Sequence, residues 1–244
     1  MAKQVQLARP PLREALLEIR LAEMLPVPFA EELKSREVFD LKYVGPVKLG
    51  QFSFQYGPTV AAQAAVTQDE LLGARFESIE RTKVLMLRRD GITCSIIGAY
   101  RNWEELRTWA QEIWGEFCAW IGNAGVQQLA LRYINVLDIP VGQDFDDYLT
   151  SGPRVAPGLP QLVGQFFQRV IIPFSETESR AIVTQVTESM SEGHVSVVLD
   201  IDVQRPCTLA ANDDGIWSRF EKIREVKNLI FFSCVTERAL ERYR

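Results

Sequence analysis

Apolar and polar residues alternate along much of the chain with a period of two, as in a strand with one buried face. Together with short apolar runs, this pattern predicts strands at 14–23, 51–56, 72–78, 83–89, 92–99, 131–141, 166–174, 181–187 and 194–203. Asp90-Gly91 separates two of these runs and is a strong signal for a tight hairpin. Strands joined by such short turns favour an antiparallel meander.

Helical periodicity marks a long stretch in the middle of the chain. Asn102 can cap this helix, with Glu105 completing a capping box, and the Gly-rich segment 122–125 ends it. One face carries the apolar stripe Leu106, Ala110, Ile113, Phe117 and Ile121. Such a stripe is typical of a helix that lies across a sheet.

A second long helix is predicted near the end of the chain. It begins around Asp213, carries Ile216, Phe220 and Ile223 on one face, and ends before Phe231. A short terminal helix follows, capped by Thr236.

The order of elements repeats at an offset of 114 residues. Leu17 to Val27 corresponds to Leu131 to Val141, since both segments are predicted strands that end in Pro-Val. Short acidic helices are predicted after them, at 29–33 and 145–149. At the same offset, Trp103, Leu106 and Phe117 correspond to Trp217, Phe220 and Phe231.

These correspondences predict an α+β fold built by tandem duplication of one unit. The unit consists of a strand, a short helix, an antiparallel meander and a long helix. The first repeat would occupy 1–125 and the second 126–244, packed as one pseudosymmetric globule with sheets on long helices.

Composition places the chain among ordinary globular proteins, with 47% hydrophobic and 24% charged residues. The net charge of −5 argues against binding that depends on neutralising phosphates over a broad surface. No stretch approaches the ~20 apolar residues of a membrane span, and no apolar segment follows Lys3 as in a secretory signal. We therefore expect a cytoplasmic protein that acts away from membranes and nucleic acid.

Known catalytic motifs are missing from the sequence. It has no nucleophile elbow, phosphate loop, His-Glu-x-x-His helix or dinucleotide glycine pattern. Cys94, Cys118, Cys207 and Cys234 lie far apart and His194 is the single histidine, which gives little support to a zinc site. We expect no cofactor, and a non-enzymatic role is favoured over catalysis.

Polar residues on otherwise apolar strands form the predicted binding site, which consists of Glu18, Arg20, Arg75, Glu77, Arg132 and Asn135. Glu18 and Arg20 share one strand face, as do Arg75 and Glu77, because residues two apart point the same way. Arg132 corresponds to Glu18 at the offset of 114, so the two could pair across a central pseudo-twofold axis. Structural ion pairs or a solvent-facing position are the alternative.

Asp200 and Asp202 place two carboxylates on one face of a strand. With water ligands they could hold a divalent cation, which is the weak alternative to having no metal site. A solvated outer face explains the same pattern.

Several short segments resemble a sporadically distributed, functionally uncharacterised prokaryotic family of about this length. They are 10–15 (Pro-Pro-Leu-Arg-Glu-Ala), 18–20 (Glu-Ile-Arg), 132–135 (Arg-Tyr-Ile-Asn) and 231–236. The resemblance spans the whole chain. It implies a bacterial or archaeal cytoplasmic protein from a patchily inherited gene, as is common in accessory or defence modules, and it supplies no catalytic residue.

The leading functional prediction is a non-catalytic binding or accessory protein. Its sheets and long helices would form a groove for a protein partner, a second copy of the chain or a small ligand. An antitoxin-like or defence-module role fits the family resemblance by analogy.

The alternative is a metal-dependent phosphohydrolase of the triphosphate-tunnel type. Its tunnel would be lined by Glu18, Arg20, Arg75, Glu77, Lys83, Arg132, Asp200 and Asp202. The sequence departs from that family, because Leu16-Leu17-Glu18-Ile19-Arg20 stands where the family has Glu-x-Glu-x-Lys.

A third interpretation is nucleic-acid binding through the basic C-terminal residues Arg219, Lys222, Arg224, Lys227, Arg238, Arg242 and Arg244. Interleaved glutamates favour ordinary pairing on an exposed helix surface instead.

Overall fold

The structure is a computed structural model that describes residues 4–5, 7–36, 38, 40–48, 70–122, 124–190 and 193–244. It is a mixed α+β fold with one large antiparallel sheet, which confirms the predicted class. The predicted strand at 51–56 lies outside the described residues.

The strands are β1 (Leu12–Leu21), β2 (Lys42–Lys48), β3 (Leu71–Glu77), β4 (Lys83–Arg88), β5 (Gly91–Ile97), β6 (Gly125–Pro140), β7 (Phe167–Phe174), β8 (Ser179–Met190) and β9 (His194–Ala210). The helices are α1 (Val27–Glu32), α2 (Trp103–Ile121), α3 (Gly215–Cys234) and α4 (Glu237–Leu240). Within the described residues, no helix has both the length and the apolar character needed to cross a membrane.

The strands form a single sheet in the order β2-β3-β4-β5-β1-β6-β9-β8-β7. All neighbours are antiparallel, and β1 and β6 join the strands of the two halves of the chain. Leu17 of β1 lies directly opposite Leu131 of β6. The sequence predicts separate sheets, whereas the pairing of β1 with β6 makes one. The division of the chain into 1–125 and 126–244 stays a prediction.

One face of this sheet is buried under the long helices. Ala15, Leu17 and Ile19 alternate along β1 as fully buried residues, while the residues between them are partly exposed. α2 contacts β1 and β5, and α3 contacts β6 and β9. Because side chains alternate across a strand, the polar residues between these apolar positions lie on the opposite face of the sheet.

The predicted ends of α2 are confirmed. The Asn102 side chain accepts a hydrogen bond from the Glu105 amide at 2.9 Å, which caps the first turn. Gly122 has a φ of 63°, a conformation that glycine adopts at little cost and that ends the helix.

Two predicted helix boundaries are wrong. α3 continues through Phe231 to Cys234, because Ile230, Phe231 and Phe232 are buried and extend the contact of the helix with the core. The acidic helix predicted at 145–149 is only a 3-10 turn from Phe145 to Asp147. Thr236 does cap α4, since its hydroxyl accepts from the Ala239 amide at 3.2 Å.

Candidate functional site

A cavity of about 600 Å³ lies on the helix-covered side of the sheet. The start of α2, the second half of α3, β6 and the N-terminal segment form its walls. We call it the Lys227 pocket. Its lining includes Gln4, Val5, Leu7, Pro10, Leu12, Tyr100, Arg101, Asn102, Trp103, Glu104, Tyr133, Asn135, Arg224, Lys227, Asn228, Phe231 and Phe232. A cavity of this size is typical of a site for a small molecule.

Lys227 of α3 is the most unusual residue of this pocket, since it is a lysine with only 8% of its surface exposed. Its Nζ donates a hydrogen bond to Asn228 Oδ1 at 2.5 Å and lies 3.8 Å from the centre of the Tyr133 ring. Within the described part of the chain, no carboxylate lies within 4.0 Å of this amine. Burial, assisted by the charge of Arg224, lowers the pKa of Lys227 to about 7.

Two tyrosines stand beside the lysine. The Tyr100 and Tyr133 hydroxyls are 2.7 Å apart, and their rings meet edge to face with centroids 5.4 Å apart. Burial, together with the neighbouring Tyr100, raises the pKa of Tyr133 well above its ordinary value. Both hydroxyls therefore stay protonated at neutral pH and act as hydrogen-bonding groups rather than as charges.

Asn135 lies two residues further along β6 and is almost fully buried. Its Nδ2 donates to the carbonyl oxygens of Tyr133 and Leu199 at 3.4 and 3.1 Å. The amide group is thus held in place by the backbone of β6 and β9. Of the six predicted binding residues, Asn135 is the one that lines the pocket.

Positive charge predominates around the cavity. Among the lining residues that the structure describes, Arg101, Arg224 and Lys227 are basic and Glu104 is acidic. The first turn of α2 also lies at the pocket, and the amino end of a helix carries partial positive charge. Arg224 also pairs with Glu221 of the same helix at 3.3 Å. The pocket is therefore suited to an anion.

The other predicted site residues lie on the opposite face of the sheet. Glu18 accepts from Arg20 at 2.5 Å and from Arg88 of β4 at 3.1 Å, and Arg88 also pairs with Asp90 at 2.8 Å. Burial alone would raise the pKa of Glu18, but the charges and hydrogen bonds of Arg88 and Arg20 hold it below its ordinary value. Glu18 is therefore an ionised member of a structural network.

The predicted pairing of Glu18 with Arg132 is not formed. Ala130, rather than Arg132, lies opposite Glu18 in the β1–β6 ladder. Arg132 instead donates two hydrogen bonds to Asp200 of β9, at 2.8 and 2.6 Å. Glu18 and Arg132 therefore each pair with residues from their own half of the sheet.

Arg75 and Glu77 pair with each other on β3 at 2.7 Å. β4 and β5 separate them from Glu18 and Arg20 on β1. The structure therefore does not bring the six predicted binding residues together into one site.

Asp200 and Asp202 share this polar face, as predicted from their spacing. Both oxygens of Asp200 bond to Arg132, and Asp202 accepts from Gln204 at 2.6 Å. Burial raises the pKa of Asp202, although the Gln204 bond and the Arg132 charge partly offset it. No group of three or more potential metal ligands occurs among the residues that the structure describes. The phosphohydrolase alternative stays a prediction.

Tyr100, Tyr133 and the burial of Lys227 were not predicted from the sequence, which instead suggested an exposed basic patch around Lys227. A signal was present, since Lys227 follows Ile223 by four residues and so falls within the apolar stripe of α3. A lysine inside such a stripe is rarely fully buried without a partner, so it marks a special environment.

The four cysteines are free thiols. Burial raises the pKa of Cys118 and Cys234 to about 11, and that of Cys94 further still. These three thiols are therefore protonated at neutral pH and poor nucleophiles.

No protein-family model matches the chain, and no curated protein matches it.

Proposed function

We propose that the protein binds a small organic anion in the Lys227 pocket. One observation carries this proposal: the Lys227 amine is nearly fully buried at the wall of a cavity of about 600 Å³, with no carboxylate within 4.0 Å among the described residues. A buried charge without a counter-ion is costly. An anionic ligand would supply that counter-ion and would restore the protonated form of the amine.

The lining also indicates the chemical character of the ligand. Arg224 and Arg101 add positive charge near Lys227, whereas Trp103, Phe231 and other aromatic residues supply apolar surface. Pockets that combine apolar walls with a few polar groups bind ligands with one charged end and an apolar body. We therefore infer a carboxylate or phosphate ester that carries a small apolar or aromatic group.

Titration calorimetry with benzoate, phenyl phosphate and neutral benzamide tests the proposal. We expect the two anions to bind and benzamide to bind at least roughly 10-fold more weakly, as for the loss of a hydrogen bond to a charged group. Lys227→Met should weaken anion binding by a similar factor. Lys222→Met is the matched control, because Lys222 is an exposed lysine on the same helix. Equal affinity of the two variants for benzoate would contradict the proposal.

An interaction through β7 is the second candidate, in line with the predicted protein partner or homo-oligomer. β7 is an edge strand of the described sheet, and Phe167, Val170, Ile171 and Ile172 are exposed on it. Exposed apolar edge strands favour pairing with another chain. Light scattering across a concentration series should detect association that Ile171→Lys abolishes. A wild-type chain that stays monomeric throughout would rule out self-association.

We further infer that the two halves arose by tandem duplication. The support is the sheet register, since Leu17 and Leu131 correspond at the sequence offset of 114 and also lie opposite each other in the β1–β6 ladder. A twofold axis that passes between Leu17 and Leu131 would exchange β1 with β6. The pairing of the two strands would be the same after this exchange, as expected for two repeats of one unit. Separately expressed 1–125 and 126–244 that assemble when mixed would support two units, and fragments that never assemble would count against them.

A further inference from the structure

Lys227 presents an amine as well as a positive charge to its pocket. We propose that this amine adds to the carbonyl group of a small organic acid and holds it as an imine. This inference rests on the proposed function, because it assigns a carbonyl to the anionic ligand of the same pocket.

The geometry places the amine for such a reaction. The Lys227 side chain reaches the cavity from α3, and its Nζ lies over the Tyr133 ring at 3.8 Å. The 2.5 Å hydrogen bond to Asn228 Oδ1 fixes one N–H direction. An ordered nucleophile at the wall of a cavity loses little freedom when a ligand arrives beside it.

The surroundings leave the amine able to react. In a structural ion pair a carboxylate holds lysine protonated and unreactive, and no described carboxylate lies within 4.0 Å of Lys227. Its pKa of about 7, set by burial and by Arg224, leaves a large share of the amine neutral at physiological pH. The titratable groups that line the pocket with it are Arg224 of α3, Tyr133 of β6, Glu104 of α2, and Tyr100 and Arg101 just before α2.

The reaction balances without an oxidant or metal. The neutral amine attacks the carbonyl carbon, and one N–H proton moves to the carbonyl oxygen to give a carbinolamine. The second N–H proton and the hydroxyl group then leave as water, and a C=N bond forms. The step is reversible, so the ligand is retained by the imine and by the contacts of its carboxylate with the basic side chains.

The chemical class of the ligand follows from these groups. A carboxylate close to an aldehyde or ketone satisfies both the positive charge of Arg224 and the amine of Lys227. Short 2-oxo acids and aldehyde acids have this arrangement, and a cavity of about 600 Å³ accommodates them with room for a side chain.

Reductive trapping tests the proposal on the full-length protein. The protein is incubated with glyoxylate and cyanoborohydride near pH 7, and the modified lysines are located by peptide mass mapping. Hydride reduction of the imine leaves a stable carboxymethyl group on the lysine nitrogen. We expect Lys227 to be modified roughly 10–100-fold faster than Lys222, because its pKa of about 7 leaves a large share of its amine neutral at that pH.

The pH dependence of the same reaction is a second test, which uses the wild-type protein. Modification of Lys227 should level off above about pH 7, whereas that of a lysine amine with the ordinary pKa of 10.5 would keep rising well beyond it. Lys227→Arg should abolish the adduct at this site while the protein stays folded by circular dichroism. Equal rates at Lys227 and Lys222, or a Lys227 rate that keeps rising to pH 10, would overturn the imine proposal.

A second ligand distinguishes the imine proposal from the proposal that the pocket only binds anions. Glycolate has the carboxylate of glyoxylate without its carbonyl group. If glycolate or benzoate binds at Lys227 but glyoxylate leaves no adduct there, the pocket is an anion site and the imine proposal fails. If the anions do not bind and Lys227 is not labelled, both proposals fail.

Discussion

The Trp103 indole N–H donates a 2.6 Å hydrogen bond to the Glu221 carboxylate and so joins the start of α2 to the middle of α3. Trp103 is only 2% exposed, and Arg107 binds the same carboxylate oxygen at 2.9 Å. Burial would raise the pKa of Glu221, but these bonds and Arg224 hold it below its ordinary value. The contact stands next to the Lys227 pocket, since both Trp103 and Arg224 line it.

Glu221→Ala should destabilise the protein by about 1–3 kcal/mol, because it leaves the buried Trp103 N–H without its acceptor. Glu225→Ala is the control, since Glu225 is an exposed glutamate on the same helix and should change stability by at most about 0.5 kcal/mol. Urea unfolding followed by tryptophan fluorescence measures both. Equal midpoints would mean that the contact contributes nothing to the joining of α2 and α3.

The pKa of Lys227 predicts how stability changes with pH. In the folded chain it is about 7, below the ordinary 10.5, so between these values the unfolded chain binds more protons. The contribution of Lys227 to stability is therefore least favourable below pH 7, where burial of the charged amine is fully penalised, and it becomes more favourable as pH rises toward 10.5. Between pH 7 and 9 the gain is about 2 kcal/mol.

Lys227→Met isolates this contribution, because it removes the amine and keeps a similar apolar volume. We expect the difference in unfolding free energy between wild type and variant to change by this amount between pH 7 and 9, while other titrating groups cancel. Lys222→Met, which removes an exposed lysine from the same helix, is the control. A wild-type minus Lys227→Met difference that does not vary with pH would show that Lys227 titrates normally.

The sequence predicted the α2 cap and the described strands other than β2, because these depend on local patterns. The alternation along β1 and the Asn102 cap are set by residues two or three positions apart. The register that places Ala130 opposite Glu18 depends on pairing between distant strands, so the Glu18–Arg132 pair was a wrong prediction.

The Lys227 pocket was largely hidden from sequence analysis for the same reason. Tyr100, Tyr133 and Lys227 come from three separate segments, and only folding brings them together. Asn135 was predicted as a binding residue because a polar residue interrupts the apolar positions of a strand, which is a local signal. The burial of Lys227 is a consequence of tertiary packing on a helix that otherwise carries many charges.

Arg132→Glu should cost more stability than Arg154→Glu. Arg132 makes a two-bond pair with the partly buried Asp200, and a glutamate there would place a third carboxylate beside Asp200 and Asp202. Arg154 is 73% exposed and makes one contact, to Asp146 at 3.1 Å. We expect about 1–3 kcal/mol for the first change and at most about 1 kcal/mol for the second. Thermal melts decide between them, and equal melting temperatures would show that water screens Arg132.

The predicted Asp90-Gly91 turn supplies the last test. Gly91 has a φ of 136°, and a Cβ at this position would lie 2.0 Å from the carbonyl oxygen of Ile19 on β1. Gly91→Ala must therefore strain the turn and push β5 away from β1, at a cost of about 2 kcal/mol or more. Gly193→Ala is the matched control, because a Cβ there meets nothing within 4 Å. Chemical denaturation of both variants should show a large loss for Gly91→Ala and almost none for Gly193→Ala. If Gly91→Ala unfolds at the wild-type midpoint, the close approach of β5 to β1 at this turn is wrong, and with it the register that sets the polar network around Glu18.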